Sequence, residues 1–133
     1  MGLPKVKFTD ISLSKEVDWV HGFLFQNKWG WGKYIIKKHP KLKKVFSLKT
    51  EIEQVKFLKR YIVEFRKENQ KLIEKNKTEY QKEWQKIEKD FFSILSEIIQ
   101  IAWPKNKKVI KEMISVNPIC PRFLNDWSFS IFY

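Results

Sequence analysis

The sequence predicts an α+β domain, mainly helical: two short helices, then a long helix or helical hairpin, then a small C-terminal antiparallel β element. Three observations carry this. Residues 50–102 contain neither Gly nor Pro and repeat their apolar residues with a helical period. Two shorter apolar stripes precede them, separated by Gly30 and Gly32. At the end, Trp127, Phe129, Ile131 and Tyr133 alternate with Ser128 and Ser130, the period-two pattern of a strand with one apolar face.

Residues 1–13 read as extended, with Val6, Phe8, Ile11 and Leu13 apolar. Ser14 is the expected N-cap of a first helix, with Glu16 in its first turn and Val17, Val20 and Leu24 as its buried stripe. Gly30 and Gly32 interrupt the chain around Trp29 and Trp31. A second short helix, Lys33 to Lys38, stops before Pro40, because proline pushes the preceding residue out of helical geometry. Thr50 and Glu53 form a capping box that opens the long element.

Within that element Val55, Ile62, Asn69 and Asn76 share one seven-residue phase, and Leu58, Phe65 and Leu72 share another. In the second half the phases are Tyr80, Ile87, Ile94, Ile101 and Trp84, Phe91, Ile98. The phase slips by one residue across Asn76-Lys77-Thr78. A straight helix drifts in this way against a strict heptad. A hairpin or strong bend near Asn76 is the other geometry, and ordinary helix lengths of about 10–14 residues favour it. Either way, Trp84, Phe91 and Ile98 are expected to face the core. Pro104 closes the helix, and Lys105, Lys107, Lys108 and Lys111 form a polar connection. Met113 to Val116 reads as a strand, Asn117 to Pro121 as a rigid loop, and the last strand is expected to pair antiparallel with Ser115 or its neighbours.

Residues 1–133 are long enough for a single domain with one modest core, and 43% hydrophobic content argues against disorder. The formal charge of +12 favours polyanionic partners such as nucleic acid, anionic lipid or an acidic protein. Its strongest local source lies between Asp18 and Glu51, where there is no acid but eight lysines: Lys28, Lys33, Lys37, Lys38, Lys41, Lys43, Lys44 and Lys49. They are interleaved with Trp29, Trp31, Tyr34 and Phe46, which are potential stacking platforms. Lys37, Lys38, Lys43 and Lys44 are the candidate polyanion-binding residues. Only three basic residues are Arg, so a base-edge reader built on bidentate contacts is not suggested.

The single cysteine, Cys120, excludes a disulfide framework and makes a reducing, cytoplasmic setting the expectation. No signal peptide is legible, and no apolar run approaches the ~20 residues of a membrane span. His21 and His39 fall in no ligand spacing and read as surface or satisfied core histidines; Cys120 reads as a buried structural thiol. Glu64 with Arg60, and Glu79 and Glu83 with Lys82, read as helical surface pairs. No Gly-rich phosphate loop is present. The residue patterns therefore nominate no catalytic, cofactor-binding or metal-binding residue.

The segment Met113 to Tyr133, and above all the loop Asn117-Pro118-Ile119-Cys120-Pro121-Arg122, resembles the stretch upstream of the catalytic helix in a group of bacterial zincin-like metallopeptidases. The resemblance covers about twenty residues well and the preceding helices in outline. It implies a pre-catalytic, N-terminal part of a peptidase-like domain that supplies helices and strands. In that group zinc is held by an H-E-x-x-H helix, and this sequence has no such helix. No ligand is therefore carried over, and the chain by itself is expected to be neither a zinc protein nor a peptidase. The expected partner is then a missing C-terminal half. Two other readings stand beside this one: a basic polyanion (nucleic-acid) binding module, and a protein-interaction module working through its helices or terminal strand.

Overall fold

The structure is a computed structural model and describes residues 2–26, 30–100, 102–106, 108–115, 122–123 and 128–132. The elements are β1 (Lys5–Asp10), α1 (Leu13–Phe25), α2 (Gly32–Lys38), a 3-10 helix (Pro40–Ser47), α3 (Glu51–Glu68), α4 (Gln70–Ile99), β2 (Val109–Ser115), β3 (Arg122–Phe123) and β4 (Ser128–Phe132). The fold is α+β and mainly helical, as the sequence implies.

The capping box forms as expected. Thr50 Oγ1 accepts from the Glu53 backbone N–H at 3.2 Å, and Glu53 Oε2 accepts from the Thr50 N–H at 3.1 Å. The bond from the Thr50 N–H first, then the Thr50 side chain and the Lys49 N–H, hold the Glu53 carboxyl below its ordinary range. The first helix begins earlier than expected. Its N-cap is Ser12, whose hydroxyl accepts from the Lys15 N–H, and not Ser14. Val17, Val20 and Leu24 are buried, as their spacing requires.

The long element is two helices, but the break is at Asn69 and not near Asn76. Asn69 adopts φ −108° and ψ 13°, and its side-chain amide donates to the Phe65 carbonyl at 2.8 Å. The short amide thus shares the Phe65 carbonyl with the Asn69 backbone N–H, 3.0 Å away, and caps α3 with neither Gly nor Pro. The two helices do different work, with α3 packing on α1 and the 3-10 helix while α4 packs on β1.

The sheet order is β1-β2-β4-β3. β1 pairs parallel with β2 from Lys5↔Val109 to Asp10↔Ile114, and β2 pairs parallel with β4 from Lys111↔Ser128 to Ser115↔Phe132. The expected antiparallel pairing of Ser115 with the last strand is therefore corrected: the partners are right and the direction is reversed. Within the described residues the antiparallel contact is β3 with β4, Arg122↔Ser130 and Phe123↔Phe129. β2 also starts at Val109, so Lys111, placed in a polar connection by sequence, is a strand residue.

As an outer strand, β1 leaves the N–H groups of Val6 and Phe8 pointing away from β2. Helix α4 meets them with side chains one heptad apart. Gln81 Oε1 accepts from the Phe8 N–H at 3.0 Å, Gln81 Nε2 donates to the Val6 carbonyl at 3.0 Å, and Glu88 Oε1 accepts from the Val6 N–H at 2.6 Å. Glu88 Oε1 also accepts from Trp84 Nε1 at 2.9 Å.

The main core lies between α1, α2, the 3-10 helix and α3 and includes Val20, Ile35, Leu42, Val45, Leu58 and Ile62. A smaller cluster, Ile11, Trp19 and Met113, ties α1 to the sheet. The expected core placement of Trp84, Phe91 and Ile98 is corrected. Phe91 is 45% and Ile98 72% exposed, Trp84 is half-buried, and Phe92 is the buried ring of α4.

Candidate nucleic-acid interface

The 3-10 helix organises the basic region. With three residues per turn, side chains three apart line up in rows. Leu42 and Val45 form the inner row and are fully buried. Lys43 and Phe46 form a second, exposed row, where Phe46 meets Phe25 edge-on at 5.3 Å. Lys41 and Lys44 form the third and share a cavity of about 460 Å³ with Phe57, Arg60, Tyr61 and Glu64 of α3. Those four α3 residues follow the i, i+3, i+4, i+7 spacing of one helix face.

Tyr61 is fixed from below. His39, at the junction of α2 and the 3-10 helix, is buried, and its Nδ1 shares a hydrogen bond of 2.8 Å with the Tyr61 hydroxyl. The His39 ring also packs edge-on against Tyr61 and Phe65. Burial, and then the charge of Glu68, push the Tyr61 hydroxyl pKa upward, so it stays protonated as a hydrogen-bonding group. His21 Nε2 is 2.9 Å from Gln54 Oε1. Both histidines are thus held by neighbouring side chains.

All four sequence candidates, Lys37, Lys38, Lys43 and Lys44, are exposed, and Lys44 lines this cavity. The structure adds Arg60 and confirms Lys41 as a neighbour of Lys44. The expected surface pairing of Arg60 with Glu64 does not form within ion-pair distance, and none of these six cations has an ion-pair partner among the described residues. On α4 three of the six lysines are in ion pairs, Lys75 with Glu79, Lys77 with Asp10 and Glu74, and Lys86 with Glu83. Two exposed aromatics accompany the cations, Tyr34 and Phe46, each about half exposed, with the Lys33 ammonium 5.2 Å from the Tyr34 ring centroid. Trp31 instead packs against Phe23 at 5.5 Å, and Trp29 lies outside the described residues.

Another cleft, of about 340 Å³, lies at the end of β1. Arg66 there binds Glu16 and the Ile11 carbonyl, while Lys77 binds Asp10 and Glu74. These pairs stitch β1, α1, α3 and α4 together, so it is a structural seam.

Among the described residues no group of three or more His, Cys, Asp or Glu could hold a metal ion, so they offer no fit for the zinc that the zincin-like resemblance implies. Cys120 and the loop 116–121 lie outside the described residues. No described helix is long and apolar enough to cross a membrane. No protein-family model, curated protein or solved structure matches the chain.

Proposed function

We propose that the chain binds single-stranded nucleic acid through the face built by α2, the 3-10 helix and α3. The observation that carries this reading is the acid-free run of exposed cations from α2 through the 3-10 helix, which Arg60 of α3 joins. Lys37, Lys38, Lys41, Lys43, Lys44 and Arg60 come from these three elements, are exposed and have no ion-pair partner among the described residues, and Lys41, Lys44 and Arg60 line one cavity. Uncommitted cations bind phosphate without first breaking an internal pair, and they release condensed counterions on doing so. Tyr34 and Phe46 add exposed π-faces, which suit unpaired bases better than the stacked interior of a duplex.

The test is fluorescence anisotropy with a labelled single-stranded oligonucleotide across a salt series. Affinity should fall linearly with salt on logarithmic axes, with a slope of about −0.7 per phosphate neutralised. Changing Lys37, Lys38, Lys43 and Lys44 together to Glu should abolish binding, since all four are exposed and no core contact is lost. Binding that survives those changes, or that ignores salt, refutes this face as the site.

A further inference from the structure

We infer that the cavity between the 3-10 helix and α3 is a single-nucleotide subsite, which holds one phosphate with Lys41, Lys44 and Arg60 and stacks the attached base on Phe57 and Tyr61. This rests on the nucleic-acid reading and specifies it. Three features separate the cavity from the rest of the basic face. First, it is concave. At about 460 Å³ it is within the ~300–1,000 Å³ of small-molecule sites and far larger than an inorganic anion requires. Second, its cations come from two elements and converge. Lys41 and Lys44 sit in one row of the 3-10 helix, and Arg60 faces them from α3. None is spent on an internal ion pair among the described residues, so the guanidinium fork is free for two parallel bonds to phosphate oxygens.

Third, the lining is aromatic and pre-set. Phe57 and Tyr61 are half-buried against the core, and the buried His39 pins the Tyr61 hydroxyl. A ring held in this way loses little freedom when a base stacks on it. Cations and aromatic rings in one lining match the phosphate and the base of a nucleotide. Glu64, the one acid of the lining, is an acceptor for a ribose hydroxyl or an exocyclic amine and disfavours a bare anion. A lipid headgroup phosphate shares the cationic requirement but brings no ring for Phe57 and Tyr61.

The experiment titrates adenosine monophosphate, adenosine, inorganic phosphate and vesicles of phosphatidic acid into the whole chain, followed by NMR of the aromatic side chains. The expected result is a shift of the Phe57 and Tyr61 ring signals with adenosine monophosphate and much weaker shifts with adenosine or phosphate alone. Arg60→Gln, an exposed change, should weaken the nucleotide by about tenfold. The double change Lys37→Gln/Lys38→Gln should weaken an oligonucleotide yet leave adenosine monophosphate unaffected. Oligonucleotide binding without any nucleotide shift at Phe57 or Tyr61 overturns the subsite and leaves the broader reading standing. Nucleotide binding without oligonucleotide binding supports the subsite and removes the broader reading. Inorganic phosphate or phosphatidic acid vesicles matching the nucleotide in effect overturns the subsite, because the rings then contribute nothing.

Discussion

Two buried glutamates divide the molecule into unlike halves. Glu16 of α1 is buried and bound by Arg66 of α3, which also donates to the Ile11 carbonyl at 3.0 Å. Glu112 of β2 is fully buried, and neither of its carboxylate oxygens has a hydrogen-bond partner among the described residues. The first lies in the seam where α1 and α3 meet the end of β1, beside the helical core; the second lies in the sheet next to β1, the strand that α4 covers. The same contrast holds for apolar groups. Leu58 and Ile62 of α3 are fully buried, while Ile87, Phe91, Ile94 and Ile98 of α4 are exposed along one heptad seam. The helical half is internally satisfied, and the sheet half carries both an unpaired acid and an uncovered apolar stripe. Equal amphipathic patterning thus does not guarantee equal burial.

The sharpest way to break this comparison is to truncate matched residues in the two helices. Leu58→Ala should cost about 2–5 kcal/mol, since the site is enclosed on all sides. Ile98→Ala should stay within about 0.5 kcal/mol, as for other surface changes. Urea melts decide it, and a large loss for Ile98→Ala would show that α4 is covered in solution. Next comes the paired glutamate. Glu16→Gln leaves the Arg66 guanidinium without its carboxylate and should cost about 3 kcal/mol, the low end for a broken buried pair because Arg66 is partly exposed. A melt unchanged by Glu16→Gln would remove the contrast between the two acids.

The last test reads a slope. Burial pushes the Glu112 carboxyl from its ordinary value of 4.5 up to about 9. Between those values the folded chain keeps a proton that the unfolded chain releases, so stability falls as pH rises across that window and levels off above it. Glu112→Gln has no proton to lose. Its urea midpoint should decline less between pH 5 and pH 8 than that of the parent chain, with the variant as stable or more so at pH 8. Parallel pH profiles would mean that Glu112 is not held neutral in the fold.

Local signals were legible because they depend on neighbours in sequence. The Thr50–Glu53 box, the α1 stripe and the halt of α2 before Pro40 all formed as their spacing dictates. The break at Asn69 was not, because an Asn within a heptad phase reads as one polar residue in a stripe until its amide is seen on the Phe65 carbonyl. Strand direction was illegible for another reason: the alternation of the Ser128–Phe132 strand is the same in parallel and antiparallel ladders. At the candidate interface the acid-free lysine run exposed four cations. Arg60 stayed hidden because α3 brings it to Lys41 and Lys44 only through tertiary packing, and by its own sequence context it looked like half of a surface pair.

The contact of Gln81 and Glu88 with β1 bears on which motions release which amides. In an ordinary edge strand the outward N–H groups exchange freely with solvent deuterium. Here the Val6 and Phe8 amides are held by a helix, so their exchange reports the lifting of α4 and not the parting of strands. Lys5 instead donates to the Lys108 carbonyl, beside β2, and its amide reports the sheet. Alternate amides along one short strand thus time two separate openings, and the helix-facing set marks when the sheet's border becomes available to another chain.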